Sequence, residues 1–318
     1  MRSCCAVVVL VLACHSAFAE ADDGFRILSW NVSEHAFVKH GAAFRSLVRL
    51  SEADILLLDE VSPDATREDL QAALSGPEED DTAHWYIDYG VSGGRQRCVV
   101  ASRYPLETLP GFSSALAYPL PARNFVEARM SPAAFANPAW QMQGGIPVNG
   151  AIATIAGRRL LLVVTDLQCC GDNPNSWQEF RRQVEADKIA RHVRQVVDRA
   201  SIDSLVIAGD FNLVNGNTPL ALLQGPYAAQ AKPLVAAEPH HLGPRETETW
   251  TWDGRGTPFP SGVLDFQLYD AEKLELRESF ILDTEDLPAD DLRRFDLEPG
   301  TSRRISEHRP VVVEFAWQ

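Results

Sequence analysis

With 318 residues, 45% of them hydrophobic and 23% charged, the chain has the make-up of a globular protein with a large core, which excludes a disordered or fibrous polymer. Its formal charge of −15 at pH 7 argues against a tight grip on duplex nucleic acid, which needs a basic stripe to neutralise phosphates. Lys39, Lys188, Lys232 and Lys273 are the only lysines, so almost all positive charge is arginine, the side chain suited to bidentate oxyanion contacts.

The amino terminus reads as a secretory leader. Arg2 supplies positive charge, residues 6–13 form a short apolar run, and Ala17-Phe18-Ala19 has the small-x-small pattern of a cleavage site. Cleavage after Ala19 would leave a domain over 20–318 and, with Arg2 gone, take the charge from −15 to −16. A secreted or periplasmic protein is expected. A lipoprotein acylated at Cys14 ranks second, because Leu12 directly before Ala13 fits that pattern poorly. The apolar run is shorter than the ~20 residues of a membrane span and no later stretch qualifies, so no transmembrane segment is expected. Of the six cysteines, Cys98, Cys169 and Cys170 would remain after cleavage. Export permits a bridge, either from Cys98 to the pair or within the pair itself.

Strand patterns fall at 25–30, 55–58, 97–102, 151–155, 160–165, 205–208, 263–269 and 311–315, rich in β-branched residues and leucine. Helices are expected at 42–50, 63–74 and 176–199, and a short one from Thr218 with Pro219 in its first position. In 176–199 the apolar positions recur at helical spacing and arginines take the other face. Three stretches break the alternation: 109–149, Pro-rich and aromatic; 225–244, also Pro-rich; and 283–304, mixing acids with arginines. They read as long loops on one α/β domain, where recognition of substrate commonly sits. A monomer is expected.

Polar and acidic residues end several apolar strands: Asn31 after 27–30, Glu60 after 55–59, Asp166 after 161–165, and Asp210 with Asn212 after 205–209. Strand ends in α/β proteins form the crevice where ligands bind, and oxygen-bearing side chains gathered there suit a hard cation, Mg²⁺ or Mn²⁺. Asp265 inside an apolar pattern and Glu307-His308 just before the last strand complete the candidate set.

Trp30-Asn31, Asp59-Glu60-Val61, Ser102-Arg103-Tyr104-Pro105, Gly209-Asp210-Phe211-Asn212, Leu264-Asp265-Phe266 and Ser306-Glu307-His308-Arg309-Pro310 together resemble the ordered motifs of the endonuclease/exonuclease/phosphatase superfamily, with its deoxyribonuclease I-like fold. The resemblance runs from about residue 25 to the end. It implies a four-layer α/β sandwich, two packed mixed β-sheets flanked by helices, and an exported metal-dependent phosphoesterase. Under it Glu60 binds Mg²⁺ or Mn²⁺, Asn31 supports metal and phosphate, and Glu307 lies near the metal, while Asp166, a carboxylate in place of the family's histidine, reads as an extra metal contact, a changed substrate geometry or weakened catalysis. Asp210 activates water, Asn212 holds water or a phosphate oxygen, and Asp265 keeps His308 positioned and protonated. The chain departs from the pattern at Asp166, where many members have histidine, and at Glu307, where most have aspartate.

Acidity and the aromatic stretch 109–149 incline the substrate toward a small-molecule or lipid-headgroup phosphoester. The alternatives are an extracellular nuclease, or a binding module of the same fold impaired by the change at Asp166. Some features have plainer readings. The sequon Asn31-Val32-Ser33 is discounted as a glycan site because the catalytic reading needs Asn31. His240-His241 near Glu238 reads as a solvated loop more than as a second metal site, and Arg95 and Arg97 read as hairpin solvation more than as phosphate contacts.

Overall fold

The computed structural model describes residues 24–75, 84–171 and 173–318. The expected leader at 1–19, with Cys14, lies outside them. The chain first lays down β1 (Gly24–Glu34), β2 (Ile55–Val61), β3 (Tyr86–Tyr89) and β4 (Arg97–Ser102). It then crosses to a second sheet with β5 (Leu106–Thr108), β6 (Val148–Ile155), β7 (Arg158–Thr165), β8 (Ser204–Asp210) and β9 (Val235–Ala236). β10 (His240–His241), β12 (Leu274–Ile281) and β13 (Val311–Trp317) return to the first sheet, while β11 (Asp265–Tyr269) joins the second. Among the described residues the sheets have seven and six strands, in the orders β10-β12-β13-β1-β2-β4-β3 and β5-β6-β7-β8-β11-β9. Both are mixed: β1 runs parallel to β2 and β7 to β8, and the rest of those central pairings are antiparallel.

Helices cover the two outer faces. α1 (Ala36–Lys39), α2 (Gly41–Ser51) and α3 (Arg67–Leu74) press Phe37, Phe44, Leu47 and Leu70 onto Trp30, Leu56 and Leu58 of the first sheet. α4 (Leu120–Glu127), α5 (Pro132–Ala136), α6 (Trp177–Val197) and α7 (Thr218–Gln224) follow, and α4, α6 and α7 pack Val126, Ile189, Val193 and Leu223 against Leu161, Val163 and Ile207 of the second. Between the sheets lies a third apolar layer containing Ile27, Ile55, Leu57, Val100, Leu162, Val164, Val206, Ala208, Val311 and Val313. The result is the expected four-layer sandwich.

The alternation of side chains along a strand decides what stands at the end of that inner layer. On β1 and β2 the inward series run Ile27, Ser29, Asn31 and Ile55, Leu57, Asp59. On β8 the series is Val206, Ala208, Asp210, and its cross-strand partners on β11 are Tyr269, Gln267 and Asp265. Leu160, Leu162 and Val164 of β7 are followed by Asp166. At one end of the sandwich, five strands therefore replace apolar inward residues with polar ones. Gly209 makes the approach of β7 and β8 possible there: its φ is +129°, and a Cβ would run into the Thr165 carbonyl oxygen. Gly209→Ala should lower the urea unfolding free energy by at least about 2 kcal/mol; an unchanged midpoint would contradict this packing.

Several elements differ from the sequence reading. α3 begins at Arg67 because Thr66 caps it, accepting from the Asp69 amide while Asp69 accepts in return. The stretch 109–149 folds α4 and α5, each with proline in its first turn, and 283–304 folds α8 (Ala289–Arg294) and α9 (Thr301–Ile305). β12 has no counterpart in the sequence reading, since a register shift between Leu276 and Glu278 breaks its alternation. In α6 the arginines do not all face water: Arg181 and Arg182 are buried, paired with Glu185 and Glu179. All three described cysteines are free thiols, and Cys98 sits in the inner apolar layer, where it bridges to neither of the others.

Candidate active site

Asn31 and Glu60 stand where the ladders break. Register shifts follow Asn31 in the β1–β2 pairing and Leu58 in the β2–β4 pairing. Glu60 has φ +50° and Asn212 has φ +50°, a region that residues other than glycine enter seldom and mostly where structure elsewhere enforces it. The bulges turn both residues off the regular pleat at the polar end of the sandwich.

Asp265, His308 and Asp210 form a chain. His308 Nδ1 lies 2.9 Å from Asp265 Oδ2, and its Nε2 lies 3.6 Å from Asp210 Oδ2. Asn31 Nδ2 donates to the same Asp210 oxygen at 3.3 Å, so this contact crosses from the first sheet to the second. Asp210 Oδ1 accepts from the Asn212 amide at 2.9 Å. Asn212 Nδ2 in turn donates to Asp166 Oδ1 at 3.2 Å and to the Leu167 carbonyl at 2.9 Å. Asn31, Asp166, Asp210, Asn212, Asp265 and His308 are all buried. They are brought together from β1, β8, β11 and the turns after β7, after β8 and before β13.

The electrostatics follow from burial. Desolvation pushes the Asp210 carboxyl up to about 8, against the pull of His308 and with Asp265 and Glu60 adding to the push. Desolvation also raises Asp166, with Glu60 and Asp210 adding to it. For His308 burial alone would lower the pKa, but Asp265 first and Asp210 second outweigh it and hold the imidazolium to about 10. The sign for stability is the same for both kinds of group. Asp210 keeps in the fold a proton that the unfolded chain releases near 3.8, so its contribution declines as pH rises from there to about 8. His308 contributes fully below 6.5, and that stability is lost as pH rises through about 10.

The site holds further residues, two of them, Asp59 and Ser306, inside the quoted motifs but given no role there, and two, Gln96 and Thr251, outside them. Asp59, fully buried beneath this cluster, has no hydrogen-bond partner for either carboxylate oxygen among the described residues, and Asp265 Oδ1 is likewise unpartnered. Burial, then Asp210, Asp265 and Glu60, hold Asp59 well above the usual carboxylate range. Gln96 donates to Asp166 Oδ2. Thr251 Oγ1 accepts from the amides of Leu264 and Asp265 at 3.0 and 2.9 Å. Ser306 Oγ donates to the Asn31 carbonyl at 2.8 Å and accepts from the His308 amide at 3.0 Å. A Ser-x-His spacing is a signal for such a turn; nothing local marks Gln96 or Thr251.

Other candidates fare differently. Glu60 is half-buried near the cluster, acting electrostatically on Asp59, Asp166 and Asp210. Glu307 is exposed, and its carboxylate has no hydrogen bond or ion pair among the described residues. Both Asp166 oxygens accept hydrogen bonds, from Gln96 and Asn212. His241 is buried rather than solvated, with Nδ1 2.7 Å from Asp286 and Nε2 2.9 Å from the Trp250 carbonyl. Asp283 and Asp286 beside it are occupied by Arg245 and Arg309, so this cluster is a buried ion network. Arg309 also reaches Asp253 at 2.7 Å and the Ser306 carbonyl at 3.1 Å, fixing the turn that carries His308. Arg97 donates to the carbonyls of Gly94 and Gln96, a structural role.

The donor set fits a hard divalent cation. Five carboxylates, those of Asp59, Glu60, Asp166, Asp210 and Asp265, gather around one histidine, and buried oxygens of Asp59 and Asp265 lack partners. Ligand atoms of Asp210, Asp265 and His308 lie within 4.8 Å of one another. Such a concentration of buried negative charge is costly without a positive counterpart.

Comparison with known proteins bears on the fold and the family. The chain resembles the crystal structure of an endonuclease/exonuclease/phosphatase from Bacteroides vulgatus, with 15% identity and a TM-score of 0.57 over 93% of this chain and 99% of that one. It also resembles a humanized D. rerio TDP2, with 16% identity and a TM-score of 0.53 over 92% and 99% of the two chains. The human Nocturnin catalytic domain with bound sulfate matches at 16% identity and TM-score 0.53, over 93% and 94%. No curated protein matches the chain. The model of the Endonuclease/Exonuclease/phosphatase family matches residues 28–308, which takes in every candidate residue from Asn31 to His308, and the chain belongs to that family.

Proposed function

We propose that this protein hydrolyses a phosphoester by in-line attack of water, and that it is exported. The observation that carries the reading is the buried chain Asp265–His308–Asp210 beside a pool of carboxylate oxygens without partners. Asp210 accepts the proton of the attacking water, with Asn31 and the Asn212 amide holding its carboxylate in place. His308, kept cationic by Asp265, sets positive charge against the phosphate oxygens as negative charge builds. Asn212 orients water or a phosphate oxygen, and its own amide is aimed by Asp166 and the Leu167 carbonyl. Glu60 and Asn31 would hold Mg²⁺ or Mn²⁺. When bound, the ion supplies Lewis-acid stabilisation of phosphate charge.

Because that ion would offset the buried carboxylates, Mg²⁺ should raise the melting temperature more at pH 8 than at pH 5.5, where protons already do so. Differential scanning fluorimetry at the two pH values checks this; an equal shift would remove the acids from the binding site.

A small-molecule or lipid-headgroup phosphoester is favoured over duplex DNA. The net charge of −15 supports this, as do the exposed apolar side chains Leu120, Phe125 and Phe135 on α4 and α5. A D. rerio TDP2 structure holds a single-strand DNA product, which makes single-stranded DNA the nucleic acid to include as the rival. The test is a panel of phosphomonoesters, headgroup phosphodiesters, single-stranded DNA and plasmid with Mg²⁺ or Mn²⁺. Turnover of small esters well above DNA supports the reading; preferential digestion of single strands supports the nuclease. Bound metal without turnover on any of them would support a binding module instead.

A further inference from the structure

Cys169 and Cys170 stand in the loop directly after Asp166-Leu167-Gln168, and their two sulfurs lie 2.7 Å apart. Cys170 is exposed and Cys169 half-buried, so a reagent in solution can reach the pair. Cys98, enclosed in the inner apolar layer, cannot compete. The loop is tied down on one side by α6. Arg182, wholly buried, donates to the carbonyls of Gln168 and Cys170, and Glu185 accepts from the Gln168 amide at 2.6 Å. Asn215 holds the Gly171 carbonyl at 3.0 Å. On its other side the loop touches the site directly: the Leu167 amide donates to the Asp210 carbonyl at 2.9 Å, and the Leu167 carbonyl accepts from Asn212 at 2.9 Å.

We infer that Cys169 and Cys170 form a reversible dithiol/disulfide site, closed by exchange with a disulfide reagent, whose oxidation state sets how firmly the 167–171 loop holds Asp210 and Asn212. The significance of those two residues rests on the hydrolytic reading; the bridge and its effect on the loop do not. In the exchange, the Cys170 thiolate attacks one sulfur of the reagent and expels the first reagent thiol. Cys169 then attacks the Cys170 sulfur of the mixed disulfide and expels the second. One sulfur–sulfur bond forms and one breaks, two electrons pass to the reagent, and the two protons leave with its thiols. Cys170 is suited to attack first, since a hydrogen bond that its sulfur accepts from the Cys169 thiol and the guanidinium of Arg182 bring it down to about 7 against the effect of burial. Neighbouring α-carbons are ~3.8 Å apart, short of the usual ~4.4–6.8 Å of a relaxed bridge, and strained bridges are the readily reduced ones. The site is thus suited to switching.

The test treats the folded, full-length protein with oxidised glutathione, quenches it, alkylates the denatured chain and maps the tryptic peptide 160–181, which carries both cysteines. The expected peptide has lost two hydrogens and carries neither alkyl group nor glutathione, and dithiothreitol restores two alkylatable thiols. Cys169→Ser should instead give a glutathione adduct on Cys170. In the same samples, exchange of the Leu167 and Gln168 amides should slow by about tenfold on oxidation of the wild type and stay unchanged in Cys170→Ser. A wild-type peptide that stays reduced, carries glutathione or links two chains overturns the bridge. Equal amide protection in both states overturns the coupling to the loop. Neither readout uses turnover, so an inactive protein would count against the hydrolytic reading alone.

Discussion

Asp210→Asn should lower kcat at least about a thousandfold while KM changes less than about threefold, because it removes a proton acceptor and keeps the shape of the side chain. The asparagine still has an oxygen for the Asn212 amide, which lies 2.9 Å from Asp210 Oδ1, and what it lacks is basicity. The pH profile carries a second signature. Activity of the wild type should rise with pH as the Asp210 carboxylate forms, below or at its value of about 8, and fall as His308 loses its proton near 10. A bound cation draws the rising limb to lower pH, since it favours the ionised acid. Steady-state kinetics across pH decides the matter. A loss smaller than about tenfold, or a rising limb that survives the substitution, would take the role of base away from Asp210.

His308→Ala should cost about two to three orders of magnitude in kcat. Among the described residues the imidazolium is the one histidine cation in contact with the cluster, 2.9 Å from Asp265 and 3.6 Å from Asp210, and alanine leaves those buried acids facing each other. The variant should therefore also unfold at lower urea below about pH 10, where the wild-type imidazolium still holds its charge. Asp265→Asn separates the two effects. It keeps a hydrogen-bonding partner for Nδ1 but removes the charge that holds the imidazole protonated, so the falling limb of the pH profile should move to lower pH. Full activity of His308→Ala at pH 7 would dismiss the histidine as a structural residue.

Much of this site was legible because strand-terminal polar residues are local signals. Asn31, Glu60, Asp210 and Asn212 follow apolar runs in the sequence, and each lies at the polar end of the sandwich. The pairing of Asp265 with His308, separated by forty-three residues, was expected only through the family resemblance and is present at 2.9 Å. What stayed hidden depends on long-range packing. Asp59 reads as one more strand residue until the facing sheet closes over it and leaves both oxygens without partners. Gln96 gains its role only when β4 brings it to Asp166. Arg181 and Arg182 read as a solvated helix face, yet the loop carrying Gln168 and the stretch carrying Tyr118 cover them.

The same packing explains the departure at Asp166. An acid there binds Gln96 and Asn212, whereas a histidine would add a cation facing the substrate. Under the hydrolytic reading proposed above, the position aligns an amide, and offsetting phosphate charge falls to His308 and the metal that Glu60 and Asn31 would hold. Glu307 is exposed beside the buried His308.

The most direct test of the central claim is a Mg²⁺ titration of the wild type and of Asp210→Asn and His308→Ala, with metal binding followed by calorimetry and turnover followed on the best ester from the panel. The account predicts that all three proteins bind the metal, that wild-type turnover rises with its occupancy, and that both variants lose at least about a hundredfold in kcat. Turnover that is independent of the metal, or variants as active as the wild type, would contradict it.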